Sequence, residues 1–154
     1  MDARAFLERP HQLKELVDTT VDEVKVLQSM AEQVRAQLGP EHEPVKHTPD
    51  VYAMQDIVIR LAEAREREAQ LRREYAEAIA EVGLMLVKIQ DTKVRDFMKK
   101  KFLEFMSLSE IGLIKSYGRT WCQNTCRKGI AMVQEMLDAD EEKTSECGRK
   151  KSHK

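Results

Sequence analysis

The chain has 154 residues, with 26 Lys+Arg against 27 Asp+Glu and a formal net charge of -1, so no global field selects a polyanionic or polycationic partner and any nucleic-acid signal must be local. Charged residues make up 34% and aromatics 5%, with 6 Gly and 4 Pro, a balance that excludes a sheet-rich fold and favours long helices. No uncharged apolar run of about 18 residues exists, and the opening MDARAFLERP lacks the apolar core of a signal peptide. The expectation is therefore an intracellular chain with no membrane span. Three cysteines, an odd number, fit a reducing compartment better than a disulfide framework.

In chain order, Leu13, Val17, Thr20, Val24, Leu27, Ala31, Val34 and Leu38 recur at alternating steps of four and three, which lines one stripe of a helix. Gly39-Pro40 ends it, and residues 39–49, with three prolines, read as a connector. A second long helix carries the same alternation through Ile57, Leu61, Ala64, Leu71, Tyr75, Ala78, Val82, Met85 and Ile89, interrupted at Glu68. Pairs such as Glu63 with Arg67 and Glu68 with Arg72 have the four-residue spacing that supports exposed helix. The expected arrangement is an antiparallel, coiled-coil-like hairpin of 12–38 against 51–90, within a domain spanning 1–90 that oligomerises or contacts a partner.

Asp91 or Thr92 can cap a third helix whose apolar positions are Val94, Phe97, Met98 and Phe102, with Lys99, Lys100 and Lys101 on the remaining surface. Ser107 and Glu110 have capping-box spacing and open a short helix through about Lys115. Ser116-Tyr117-Gly118 forms a turn, and Thr120 with Gln123 offers a second capping box for a helix reaching about Leu137. Residues 91–137 therefore have helix-turn-helix spacing. From Asp138 the acidic and then basic residues have too little apolar surface to fold, so 138–154 is expected to be a flexible charged tail. The fold class expected is all-α: a long helical hairpin followed by a small helix-turn-helix domain.

Catalytic chemistry finds no footing. The histidines stand at 11, 42, 47 and 153, in connectors or ends, and no converging nucleophile and base can be assembled, so no catalytic residue and no enzyme activity is expected. Cys122 and Cys126 are one helical turn apart, yet no second ligand pair lies near them, and the expectation is no metal and no cofactor. Gly112, Gly118 and Gly129 have neither the phosphate-loop nor the dinucleotide spacing.

The charge distribution is more informative than its sum. Residues 93–128 carry nine bases against three acids, a net +6, whereas 51–90 is at -1. Within this basic module Ile111, Cys122, Ile130, Val133 and Leu137 have core spacing, and Gly112 marks a close approach of two helices. On the opposite side of the last helix Thr120, Gln123, Asn124 and Arg127 share a face. Gln and Asn can pair bidentately with adenine and Arg with guanine in the major groove, so these four are the candidate base contacts. Lys99, Lys100, Lys101, Arg119 and Lys128 are the candidate phosphate contacts. The same pattern also describes the polar surface of a three-helix knob.

Residues 89–137, IQDTKVRDFMKKKFLEFMSLSEIGLIKSYGRTWCQNTCRKGIAMVQEML, resemble a family of small uncharacterised phage and prophage proteins. That family is related to phage late-transcription activators, with a helix-turn-helix similar to the promoter-reading C-terminal domain of bacterial sigma factors. The upstream layout of helix, connector and second long helix is similar too, so the resemblance extends over residues 3–137. This chain departs from the family pattern at Lys101-Phe102, where Arg-Tyr is usual, at Leu108, where an aromatic is usual, and at Gly112, which replaces alanine. Ser116-Tyr117-Gly118 stands for Gly-Tyr-Ser, and Cys126 lies near a usual His. The resemblance implies a cytoplasmic protein of the bacterial host cell that binds double-stranded DNA as a transcriptional regulator and touches RNA polymerase or another host protein; the long apolar stripes, which a lone hairpin leaves partly exposed, predict a homo-oligomer, with a dimer favoured. Two other functions compete. One is a protein-interaction factor reusing the shape against a host protein, such as an inhibitor of a defence nuclease; the other is a DNA-packaging recognition subunit that forms a ring.

Overall fold

The computed structural model describes residues 1–38 and 49–151, and every regular element in it is helical: α1 Ala3–Leu38, α2 Pro49–Val87, α3 Thr92–Phe102, α4 Leu108–Lys115 and α5 Arg119–Lys151. The chain is all-α, and its first two helices form the long hairpin that the heptad stripes require. Most of the connector, including His42 and His47, and the last residues, including His153, lie outside the described residues.

The first helix begins earlier than its heptads suggest. Ala3, Leu7 and Pro10 extend the same stripe toward the N-terminus and are all buried. Pro10 removes one backbone donor inside the helix, a change that costs about 3 kcal/mol in an exposed helix interior, but here its ring is packed in the core. At the other end of the hairpin, α2 starts at Pro49, the first helical position where a missing N–H costs nothing, and stops at Val87 instead of 90.

The chain divides into two compact units, residues 13–75 and residues 1–12 with 76–154, so the expected boundary between 90 and 91 is displaced into the two long helices. The physical reason is that Ala3, Leu7, Val82, Met85, Leu86 and Ile89 share one apolar cluster with the short helices.

In the unit of residues 13–75, Leu13, Val17, Thr20 and Val24 are buried on α1 and Ile57 and Ala64 on α2, while Leu27, Ala31, Val34, Leu61, Leu71 and Tyr75 are partly covered. The side chain of Leu38 is outside the described set. Thr20 is tolerated in the stripe because its hydroxyl donates to the Leu16 carbonyl at 2.8 Å. Glu68, the break in the second stripe, is held by Arg72, whose Nε and Nη2 lie 3.0 and 2.9 Å from one carboxylate oxygen. Arg67 does not settle on Glu63 as its spacing suggests; its guanidinium crosses to Glu23 on α1 at 2.8 Å.

In the other unit, the four predicted apolar positions of α3 are all buried, and Phe97, Leu7, Met98, Ile111, Val82 and Val133 are the largest side chains sealed from solvent. Full burial of such a side chain contributes about 1.5–3 kcal/mol each, so these residues set how α3, α4 and α5 meet. Gly112 stands at one close approach, where an added Cβ would lie 3.0 Å from the Tyr117 carbonyl and 3.7 Å from Cys122 Sγ.

The charged tail expected from Asp138 is corrected: α5 continues as helix to Lys151. Its outer turns are exposed throughout the described side chains. They are continued by intrinsic propensity and four-residue spacing and not by a buried face, which is why a search for apolar periodicity does not see them.

Candidate nucleic-acid interface

The site is assembled by three local devices. Asp91 is the N-cap of α3, its Oδ1 accepting from the amides of Lys93 at 3.1 Å and Val94 at 3.4 Å. The Val94 amide foremost holds the Asp91 carboxyl below its ordinary value against the cost of desolvation, which ranks next, and the Lys93 amide and then Lys128 add lesser pulls in the same downward direction. Ser107 caps α4 with both bonds of the capping box present, the Glu110 amide donating to Ser107 Oγ and the Ser107 amide to Glu110 Oε2, each at 3.2 Å.

The third device is the three-residue turn. Ser116 closes α4 in the left-handed conformation at φ 58°, with its N–H on the Gly112 carbonyl. Tyr117 then lays its ring against Trp121 at 3.8 Å between centroids, and Trp121 meets Phe97 edge-on at 6.0 Å. The turn is thereby fastened to both helices it serves. The second capping box is corrected. Gly118 accepts the first bond of α5, from the Cys122 amide at 3.1 Å, and Thr120 lies inside the first turn. With glycine at the cap and no acid in the first turn, the partial positive charge of this helix end is left uncompensated by the helix's own side chains.

The side chains singled out as base contacts do share a face. Thr120, Asn124 and Arg127 are exposed and Gln123 is half-buried, and they point away from Cys122, Cys126, Gly129 and Val133, which are buried. Gln123 lines a groove of about 590 Å³ beside α4, together with Gly112, Tyr117 and Arg119. Asn124 lines a smaller one on the other flank with Lys93, Trp121 and Lys128. Farther along, Glu135 and Asp138 turn α5 acidic, so the segment open to an anion runs from Arg119 to Ala131, about 18 Å of helix.

The cationic residues divide. Arg119 is exposed at the start of α5, and Lys128 lies beside the face of Thr120, Gln123, Asn124 and Arg127 with Nζ 3.5 Å from Asp91 Oδ2. The lysine run does not form one phosphate-facing row. Lys99 lines a groove against the end of α2, Lys100 pairs with Glu104 at 3.7 Å, and Lys101 is half-buried over the Phe102 ring. Consecutive helical residues are rotated by about 100°, so three in a row cannot share a face. Lys115 is likewise engaged, 3.3 Å from Asp96.

Two features escaped sequence reasoning. Lys93 stands beside Asn124 and Lys128 because Asp91 starts α3 at that point. Leu113 and Ile114 of α4, which the spacing analysis did not single out, are 83% and 63% exposed. Cys122 and Cys126 are buried thiols, and among the described residues no group of three or more His, Cys, Asp or Glu is placed to hold a metal ion. No helix among them is long and apolar enough to cross a membrane. No protein-family model, curated protein or solved structure matches this chain.

Proposed function

We propose that this chain is a non-enzymatic, DNA-binding transcriptional regulator of the phage type, acting as a homo-oligomer, with α4 and α5 used as a helix-turn-helix. The observation that carries this reading is the face of Thr120, Gln123, Asn124 and Arg127, set opposite the core on a helix whose start is open and flanked by Arg119, Lys93 and Lys128. Base-reading side chains on a helix narrow enough for the major groove, with cations at its edges, are the minimum that direct readout needs. The family resemblance of residues 89–137 points the same way and adds RNA polymerase as a second contact.

In this reading Lys93, Arg119 and Lys128 hold phosphates and the lysine run at 99–101 has a lesser part. Fluorescence anisotropy on labelled duplex over a salt series tests it. Binding that weakens steeply with salt is expected, and no duplex affinity at low salt would reject it. A second reading, a protein-interaction factor, is favoured by one observation, the exposed pair Leu113 and Ile114 on α4. Its mark would be a salt-tolerant complex with a host protein that is lost in Leu113→Asp.

A further inference from the structure

The end of α2 carries an apolar face that its own unit leaves open. Ala78, Val82, Met85 and Leu86 are buried, while Ala76, Ala80, Leu84 and Val87 are exposed, the last two at 69% each, and Gly83 is half-exposed between them. Residues 76, 80, 83, 84 and 87 fall at helical spacing, so they form one stripe about three turns long. The stripe borders a groove of about 460 Å³ floored by Gly83, Leu86, Val87 and Leu103.

Gly83 is the informative residue. A glycine inside a helix costs about 1 kcal/mol relative to alanine; at Gly112 and Gly129 a neighbour that a Cβ would press on accounts for it, whereas Gly148 on the exposed outer turns of α5 has open space and no packing role. At Gly83 nothing lies within 4 Å of an added Cβ. The fold itself has no use for a bare backbone there, but a second helix crossing the stripe does, because small residues let two helix axes come close.

The charges beside the stripe indicate which helix. By helical period Glu77 and Lys88, the first residue past the end of α2, fall on the same flank, six residues before and five after Gly83, about 9 and 7.5 Å along the axis in opposite directions. Two copies of α2 crossing antiparallel at Gly83 therefore place each Glu77 beside Lys88 of the other copy, and a two-fold axis makes the match reciprocal. The same crossing brings Leu84 of the two copies together near the axis, on the flank that Glu77 and Lys88 share. We propose that α2 residues 76–87 form a self-complementary homodimer surface, centred on Gly83 and framed by reciprocal Glu77 and Lys88 contacts. This rests on the homo-oligomer part of the reading above and not on duplex binding.

The test is sedimentation velocity of the full chain over a range of concentrations. The unaltered protein is expected to dimerise, and Gly83→Trp, which fills open space, to sediment as a monomer with an unchanged circular-dichroism spectrum. Lys88→Glu should weaken dimerisation on the order of tenfold by facing Glu77 with a like charge, and the double swap Glu77→Lys with Lys88→Glu should restore it. That restoration separates a contact across the axis from damage to the fold. A protein that is monomeric at all concentrations overturns the homo-oligomer reading and this surface together. A dimer indifferent to Gly83→Trp, or a double swap that does not restore pairing, overturns this surface alone.

Discussion

Gly129 of α5 stands against the thioether of Met98 on α3, so closely that a Cβ at 129 would collide with Met98 Sδ and Cγ. Met98 is fully buried and cannot swing into solvent. Gly129→Ala is therefore expected to destabilise the protein by about 1–3 kcal/mol through overpacking, despite the better helix propensity of alanine. Gly83→Ala, in open space, is expected to stabilise by about 1 kcal/mol. Chemical denaturation of the two variants checks the contrast; equal and small effects would show that α3 and α5 are not pressed together at 129.

Asp91 links the cap of α3 to Lys128 of α5. Because its carboxyl is held below the ordinary value in the folded chain, its contribution to stability is present above the ordinary aspartate range and is lost as pH falls through the lower folded-state value. Asp91→Asn keeps a good cap acceptor and removes the charge. The variant should be less stable than the unaltered protein near neutral pH, and the gap should close on acidification, as read from thermal midpoints at a series of pH values. An identical acid limb in both proteins would remove Asp91 from the account.

Ser116 occupies left-handed backbone at φ 58°, where a side chain costs about 1–2 kcal/mol. Ser116→Gly relieves that strain and gives back part of it to the unfolded chain, for a net gain of about 0.5–1 kcal/mol. Differential scanning calorimetry should show a higher midpoint. A lower one would mean that the hydroxyl holds the turn in a way that the backbone geometry does not account for.

For duplex binding, Arg127→Ala is expected to lose about 1–3 kcal/mol, chiefly on a preferred site. Replacing Lys93 and Lys128 together by Ala should weaken all duplexes alike and flatten the salt slope by about two contacts. Replacing Lys99, Lys100 and Lys101 should do less than the Lys93 and Lys128 pair, since the run fans out over three directions. Anisotropy titrations on selected and random duplexes separate these outcomes. A larger loss from the triple lysine change would move the interface from α5 to the far end of α3.

What was legible in the sequence was what short spacing determines. The stripe from Leu13 to Val24, the buried set Val94, Phe97, Met98 and Phe102, and the Ser107–Glu110 box depend on neighbours one or two turns away, and the structure contains each. Positions decided by tertiary packing were harder to place. Ala3, Leu7 and Pro10 precede the expected start of the first helix at 12, and their burial depends on partners distant in sequence. Thr120 matched a capping rule, but the Tyr117 stack on Trp121 and the tight approach at Gly112 start α5 at Arg119 instead. The face of Thr120, Gln123, Asn124 and Arg127 follows from helical period alone, whereas Lys93 joins its surroundings only through the pairing of α3 with α5.

The continuation of α5 past the core gives the molecule a built-in optical handle. Cys122 and Cys126 are buried, and burial pushes the Cys126 thiol above its ordinary value, while Cys147 is exposed on the outer turns. A maleimide dye should therefore attach at Cys147 alone without any engineered cysteine. The attachment point lies ten residues beyond Leu137, about 15 Å of helix. A dye there rides on a stiff mast, so its depolarisation follows the tumbling of the α3–α5 body more than the motion of a loose tether, and the native chain carries its own ruler.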